Sequence, residues 1–531
     1  MARADENQLM PEVTRPRRRI GGAVAVGAGI FLSRIAGLVR EFVFAKYLGL
    51  SKSAGAFRAA LRIPNILQNL LGEGVLSASL IPIYARLRKD GRDAEASEVA
   101  RAVGTLLALA ATVLAALGVI AARPIADLIV GGFEPEYREL TAELLRILFP
   151  GVALLVLSAW CLGVLNSHRK FFLPYVSPVL WNIALITAAW LAHRRFSTDL
   201  DHQVVWISWG VVVGSAAQFL VQLPSVIRLL RGIRPSLAFG NPYVKETLHA
   251  FVPIVLSRGS VQISAFIDQW IASYLGESIV AGMSNAQTLY LLPISLFGMS
   301  ISASELPEMS ESTNDEIHKR LRVALRRVVF LVVPSAVAFV AIGGPMIAML
   351  FQHGKFTAHD TMVVWLILSG SAVGLSAGTQ GRVLNSALYA IKQPRLPLYA
   401  ALVRIAFTGI AGYLLAIPLR HAFHYSEAWG AFGLTASAGI GAWIEFLLLD
   451  KMLGKHIGKV PVPGKLGIAW LGAAAVAGAA AFGVAHVFTG HRFVAGIAAM
   501  GVFGIIYLGV MSAAKVPEAA SLLGRFGRRR R

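Results

Sequence analysis

Residues 31–88 read FLSRIAGLVREFVFAKYLGLSKSAGAFRAALRIPNILQNLLGEGVLSASLIPIYARLR, and this stretch decides the fold. It is largely apolar, yet Arg34, Arg40, Arg58, Arg62 and Glu73 stand among its hydrophobic residues. Ionisable groups are costly in lipid and usually face a cavity. Parts of the stretch return farther along. The FLSR that ends at Arg34 recurs as VLSR ending at Arg258, 224 residues on. SASLIP (Ser77 to Pro82) recurs as SASELP (Ser302 to Pro307), 225 residues on. A repeat of that size predicts two lobes built on one plan, with a cationic cavity between them, as in a transporter.

Composition points the same way. Of 531 residues 56% are hydrophobic and 15% charged, and the mean hydropathy is +0.63. Soluble domains carry about 25% charged residues. Many separate segments are long enough to cross a hydrocarbon core of about 30 Å as helix. The expectation is an all-α, polytopic membrane protein with 14 spans, at roughly 21–46, 54–84, 97–122, 138–166, 171–194, 203–230, 245–275, 279–307, 322–344, 361–390, 396–418, 428–452, 465–488 and 492–513. The first apolar segment is longer than a signal-peptide core and reads as a retained helix. The lone Cys161 excludes an internal disulfide and reads as a small buried helix residue.

The formal charge of +21 could suggest a nucleic-acid partner, but the positions of the charges oppose it. With 14 spans, the basic clusters around Arg17, Arg88, Arg169, Arg231, Arg320, Lys392, Lys455 and Arg528 all fall on one side. Short basic loops stay in the cytoplasm, so both termini are expected there. VLNS at Val164 to Ser167 recurs at Val383 to Ser386, and Pro178 recurs at Pro397, both at an offset of 219. The predicted organisation is a cytoplasmic segment at 1–20, an N-terminal lobe of helices 1–6 at 21–235 and a C-terminal lobe of helices 7–12 at 236–455. Helices 13–14 follow at 456–514 and a basic cytoplasmic tail at 515–531. Both lobes start on the same side, so the repeat is parallel.

Arg34 and Arg40 are six residues apart, about 600° of helical rotation and about 9 Å of rise, so they share neither one face nor opposite faces. Two readings stand: Arg40 snorkels to the interface beside Glu41, or both guanidinium groups line a wet cavity, where arginine binds phosphate in bidentate fashion. Pro64 followed by Gly72, Gly74 and Ser77 predicts a bent or broken second span. Glu73 reads either as a partner for Arg34 or Arg40 or as a proton-sensitive latch. Asp268, inside FIDQWIASY, is a candidate for cation or proton coupling. Arg404 and Glu445 are also intramembrane and carry no assigned role. The chain shows no phosphate-binding loop, HExxH or Cys/His cluster, so no enzyme chemistry is expected. His353 and His359 fall in a short external loop, FQHGKFTAHD.

The pattern resembles the lipid II flippase family (MurJ/MviN type) of the multidrug/oligosaccharidyl-lipid/polysaccharide exporter superfamily. The residues that carry it are SRIAGLVRE (33–41), RIPNILQNLLGEGVLSASLIPIY (62–84), GVLNSHRKFFLPYVSPVLWN (163–182), LFQHGKFTAHD (350–360) and NSALYAIKQPRLP (385–397). The resemblance implies a 14-helix fold with a cationic central cavity that moves lipid-linked peptidoglycan precursor between leaflets of the bacterial cytoplasmic (inner) membrane. Arg34 and Arg40 look like the family's first-helix arginines. The implied substrate residues are Ser33, Arg34, Arg40, Arg62, Asn65, Glu73 and Arg258; Asp268 and Thr435 look like members of an ion-coupling site.

The chain also departs from the family. Gly55 stands where an Asp is usual, Gln68 and Asn69 where one or two Arg are usual, and Gln287 and Thr288 where an Asp-Arg pair precedes Pro293. Gly409 and Gly412 fall where polar sodium ligands would be expected. The expected partners are lipid II or a related undecaprenyl-diphosphate glycan, membrane lipids and other cell-wall synthesis proteins, with no nucleic acid. No cofactor is expected beyond coupling to membrane potential, Na+ or H+. The competing expectations are an exporter of another undecaprenyl-linked glycan and a non-transporting paralogue or scaffold.

Overall fold

The structure, a computed structural model, describes residues 20–520 except 72, 233, 300, 303, 304, 306, 307, 310, 311, 394, 461–463 and 489. The side chains of 20–27, 69, 73–75, 77, 78, 252–254, 256–261, 299 and 465 are likewise outside the description. The basic N-terminal segment, most of the basic tail and much of the second SASELP copy therefore lie outside the described residues.

The described residues form helices and no strand. In the first half these are α1 (Ile20–Leu48), α2 (Lys52–Leu71), α3 (Glu73–Lys89), α4 (Asp93–Ile120), α5 (Ala122–Ile129), α6 (Pro135–Ser167), α7 (Phe172–Arg195) and α8 (Leu200–Leu229). The second half begins with α9 (Pro242–Ser273), α10 (Glu277–Pro293) and a π-helical turn (Ile294–Met299). It continues with α11 (Asn314–Ala341), α12 (Gly343–Phe351), α13 (Ala358–Ala390), α14 (Arg395–Ala416), α15 (Pro418–Phe423) and α16 (Glu427–Ile457). Helices α17 (Gly464–Val487) and α18 (Arg492–Ala513) close the order.

The repeat is visible in helix starts. α4 begins at Asp93 and α11 at Asn314, 221 residues later; α5 and α12 begin at Ala122 and Gly343, again 221 apart. α6 and α13 are 223 apart, as are α7 and α14. The short helices α5 and α12 went unpredicted because eight or nine residues leave too little periodicity to separate them from the ends of their neighbours.

Among the described residues ten helices are long and apolar enough to cross a membrane, and they coincide with predicted spans 3–6 and 9–14. Predicted spans 1, 2, 7 and 8 are helical too, as α1, α2 with α3, α9, and α10 with its π turn. Each of these four includes residues outside the description. The outward surface suits lipid: α4 exposes Leu109, Val113, Leu117 and Ile120, one stripe at helical spacing, while it buries Leu107, Ala111 and Ala115 on the other side. A water-soluble protein would bury that stripe.

The second span does not break at Pro64. Helix α2 runs through Pro64 to Leu71, and α3 starts at Glu73. In the second copy α10 ends at Pro293, whose missing N–H cannot bond back into the helix, and the π turn follows directly.

Small residues allow close crossings inside each half, as expected for helices in lipid. A Cβ on Gly374 of α13 would come within 2.4 Å of the Gly439 Cα of α16. In the first half Trp160 of α6 lies over Gly104 of α4 and donates its indole N–H to the Ala100 carbonyl at 2.9 Å. Between the halves, α2 packs on α10 and α3 on α9. Arg86 with Glu246 (2.7 Å) and Arg92 with Tyr243 (2.6 Å) tie the halves at the face that carries the basic loops.

Candidate functional site

Seven residues along a helix turn through about 700°, 20° short of two full turns, and rise about 10.5 Å. Arg34 and Glu41 of α1 therefore lie on one face. Glu41 is only 3% exposed, so it reports where that face points. Its carboxylate accepts from Arg58 of α2 at both oxygens, with Arg58 Nη1 3.2 Å from Oε1 and Nη2 on Oε2. Its Oε1 also accepts from Arg40 Nε at 3.2 Å and Nη2 at 2.5 Å. Arg40 Nη1 donates to Asn182 Oδ1 of α7 at 3.1 Å, and its guanidinium lies 5.0 Å from the Trp181 ring centre. Arg58 Nη2 reaches Asn285 Oδ1 of α10 at 3.5 Å, across to the second half.

Glu41 thus holds two arginines at a junction of α1, α2, α7 and α10. The pairing leaves one net positive charge on the cluster. Arg40 is not a free anchor here: its side chain is 18% exposed and bonded on three sides. Its partners Glu41 and Asn182 are both buried, so the guanidinium turns inward to meet them. Arg34, on the Glu41 face and two turns nearer the basic loops, is exposed and makes no hydrogen bond or ion pair among the described residues. It is an open cation of the site. Ser33 beside it is half-buried.

Farther along α2, Arg62 follows Arg58 by four residues and so shares its face. Asp268 of α9 feels the positive fields of Arg62 and of Arg404 on α14. Its Oδ1 is buried without a hydrogen-bond partner. Arg404 Nη1 in turn donates to Glu445 Oε2 of α16 at 2.9 Å. Charges therefore run from Arg40 through Glu41 and Arg58 to Arg62, Asp268, Arg404 and Glu445, crossing from one half to the other, with Arg58 and Arg62 as the one adjacent pair of like sign. Asn65 of α2 is exposed. The side chains of Glu73 and Arg258 lie outside the described residues.

Thr435 does not join Asp268. Its hydroxyl bonds the Ile367 carbonyl of α13 and the Ala431 and Phe432 carbonyls of its own helix, each at 3.1 Å. Gly412 packs on the Leu434 side chain, with 2.8 Å available to a Cβ. At the positions of the family's Asp-Arg pair, Gln287 is exposed and Thr288 bonds back to the Ser284 carbonyl at 3.1 Å.

The opposite face, away from the basic loops, is closed. Glu277 of α10 accepts the Glu134 N–H at 2.9 Å, and Lys52 bonds Glu134 at 2.5 Å. The Gly132 N–H bonds Ser273 Oγ at 3.2 Å. Gly55 of α2 lies against the Glu277 backbone so closely that a Cβ would stand 2.1 Å from its carbonyl oxygen. Glycine at position 55 thus coincides with a place where a Cβ would overlap the backbone of α10. The loop of FQHGKFTAHD is docked as well, because the Lys355 N–H bonds the Lys46 carbonyl at the end of α1 at 2.9 Å. His353 is not a bare surface residue: its ring lies 5.3 Å from that of Phe42.

Sequence reading singled out Arg34 and Arg40 and marked Arg58 as one of the ionisable residues of the apolar stretch 31–88. It missed Asn182 and Asn285. Asn182 ends the quoted motif VSPVLWN, one turn after Pro178, whose carbonyl it bonds at 2.9 Å. Asn285 stands in GMSNAQT, where nothing in the pattern distinguishes it.

The family model described as lipid II flippase MurJ matches residues 44–504. The lipid II flippase MurJ of Burkholderia cenocepacia is 33% identical over 454 residues, covering 83% of this chain and 85% of that protein. A probable lipid II flippase MurJ of Vibrio cholerae is 28% identical, covering 84% and 85%. Among solved structures, a lipid II flippase MurJ in an inward closed conformation superposes with a TM-score of 0.74 at 23% identity, over 92% of this chain and 98% of that one. An inward-facing MATE transporter gives 0.65 at 17% identity, over 83% and 98%. The fold is therefore that of the wider exporter superfamily, and the chain itself belongs to the lipid II flippase MurJ family.

Proposed function

We propose that this protein moves lipid II from the inner to the outer leaflet of a bacterial cytoplasmic membrane, with both termini in the cytoplasm. The observation that carries the reading is Arg34: an open cation on the face that leads to the Arg40–Glu41–Arg58 cluster between two repeated halves. The lipid diphosphate, entering from the basic-loop face, meets Arg34 first. It then competes with Glu41 for Arg40 and Arg58, since a diphosphate offers both guanidinium groups the bidentate geometry a single carboxylate must divide. Loosening that cluster frees α2 from Asn285 of α10, and the two halves rock about the site. The undecaprenyl tail stays in lipid throughout.

The membrane potential supplies a return force for the empty, cationic site, about 2.3 kcal/mol per elementary charge at 100 mV. Proton or sodium coupling through Asp268 has less support, because Thr435 turns to α13 and Gly409 and Gly412 bring no oxygen side chains. Other cell-wall synthesis proteins remain proposed partners.

The test is a leaflet-protection assay for lipid II in vesicles reconstituted with the full chain. Wild-type protein is expected to expose lipid II to an external probe. Arg34→Ala removes one charge-assisted phosphate contact, worth about 1.5–3 kcal/mol, and should slow flipping about 10- to 100-fold. Flipping at the wild-type rate by Arg34→Ala would remove the phosphate role. No flipping by a folded wild type, with transport of another undecaprenyl-linked glycan, would favour the exporter reading that Gln287 and Thr288 suggest.

A further inference from the structure

The face opposite the basic loops should be poor in cations if the chain sits as proposed. One corner of it is not. Arg194 and Arg195 end α7, Lys46 lies in the last turn of α1, and Lys355 lies in the loop after α12. Contacts bring the four together. The Lys355 N–H bonds the Lys46 carbonyl at 2.9 Å, and its Nζ reaches the Ser197 carbonyl, two residues past Arg195, at 3.3 Å. Tyr47 stacks on His193 at 4.3 Å, which fixes the end of α1 against the end of α7.

None of these four cations has a carboxylate partner among the described residues. The acids nearby are already engaged: Asp199 accepts from His202 at 2.5 and 3.0 Å, and Asp360 accepts the Thr357 N–H at 2.9 Å. His193 Nδ1 is buried and also without a partner. Arg194 lies 4.0 Å from the ring centre of Trp190, which is 41% exposed. An exposed tryptophan at the end of a membrane span marks the lipid–water boundary. The unpaired guanidinium is therefore held flat at head-group depth, with its edge free to donate.

We propose that this corner is a binding site for the phosphate head of a membrane lipid in the outer leaflet. Arg194 and Arg195 grip the phosphate oxygens, Lys46 and Lys355 add charge, and Trp190 lies along the glycerol or isoprenoid stem. Arginine suits the task because its planar fork matches phosphate oxygens and stays charged at any working pH. Lys355 and Lys46 come from different halves of the repeat, so the site is complete only while the opposite face is closed. The inference uses the proposed orientation but not the identity of the transported lipid.

The test uses full-length protein in detergent with Arg34→Gln in the background, which weakens binding between the halves. Native mass spectrometry counts bound dioctanoyl phosphatidylglycerol, farnesyl diphosphate and inorganic pyrophosphate in separate titrations. Adding R194Q/R195Q is expected to weaken binding of at least one lipid tenfold or more, and R194K/R195K to restore most of it. A preference for farnesyl diphosphate identifies an isoprenoid head, and equal binding of both lipids identifies a general lipid phosphate. Unchanged lipid binding by R194Q/R195Q overturns the site, as does pyrophosphate binding as tightly as either lipid. An unchanged melting temperature in R194Q/R195Q separates lost binding from lost fold.

Discussion

Glu41→Ala is expected to cost about 3–5 kcal/mol of stability, a large share of what holds a protein of this kind folded. The cost arises because the partners stay behind. Glu41 alone receives both Arg40 and Arg58, whose side chains are 18% and 10% exposed. Without it two guanidinium groups face each other at close range in a medium of low polarity, with Asn182 and Asn285 as their remaining acceptors. Glu41→Gln should be milder, since an amide oxygen still accepts one or two of the four bonds. Adding Arg58→Met to Glu41→Ala should recover part of the loss, because one stranded charge is then removed. Thermal unfolding in detergent reads all three. A Glu41→Ala protein that melts with the wild type would show that water or lipid head groups already neutralise the cluster.

How much of this could be read beforehand differs from residue to residue. Arg34 was legible because a cation inside an apolar helix has few explanations. The role of Arg40 was not, since it depends on Glu41 and Asn182 rather than on Arg40 itself, and Asn182 is 142 residues away. The paired halves were legible in SR and VLNS, and the helix starts repeat them. The divided second span was legible in outline: α2 runs through Pro64, packed against α6 and α10, and a separate α3 starts at Glu73. The partners of Thr435 were not legible. A threonine on a helix can turn its hydroxyl to its own backbone, and helical phase alone does not reveal which neighbour it meets. The cations at the end of α7 looked like ordinary span-flanking charges until Lys46 and Lys355 were placed beside them.

Gly55→Asp, which installs the residue usual in relatives, is expected to open the opposite face and stop transport. In isolation any side chain at Gly55 should help α2, because glycine is worse than alanine inside a helix by about 1 kcal/mol. Position 55 reverses that sign. A Cβ there would meet Glu277 at 2.1 Å from its carbonyl oxygen, 2.6 Å from its carbonyl carbon and 2.9 Å from its Cα. All three are backbone atoms in the first turn of α10, so no rotamer change relieves the contact and the helices must separate. Separation also pulls Glu277 from the Glu134 N–H and Gly132 from Ser273. The aspartate adds a second carboxylate beside Glu277, which is 5% exposed. If the closed state loses even about 3 kcal/mol, its population ratio falls about 150-fold, which exceeds the bias that most ligands supply. Gly55→Ala carries the same Cβ without the charge and should show most of the opening, which separates sterics from repulsion. Spin labels at Glu136→Cys and Glu427→Cys, in a Cys161→Ser background, place one reporter on each half at this face. The distance between them should lengthen in both variants, and lipid II flipping should fall in step. An unchanged distance distribution in Gly55→Asp would mean that the closed face tolerates the side chain and that the tight α2–α10 contact is not what sets the resting state.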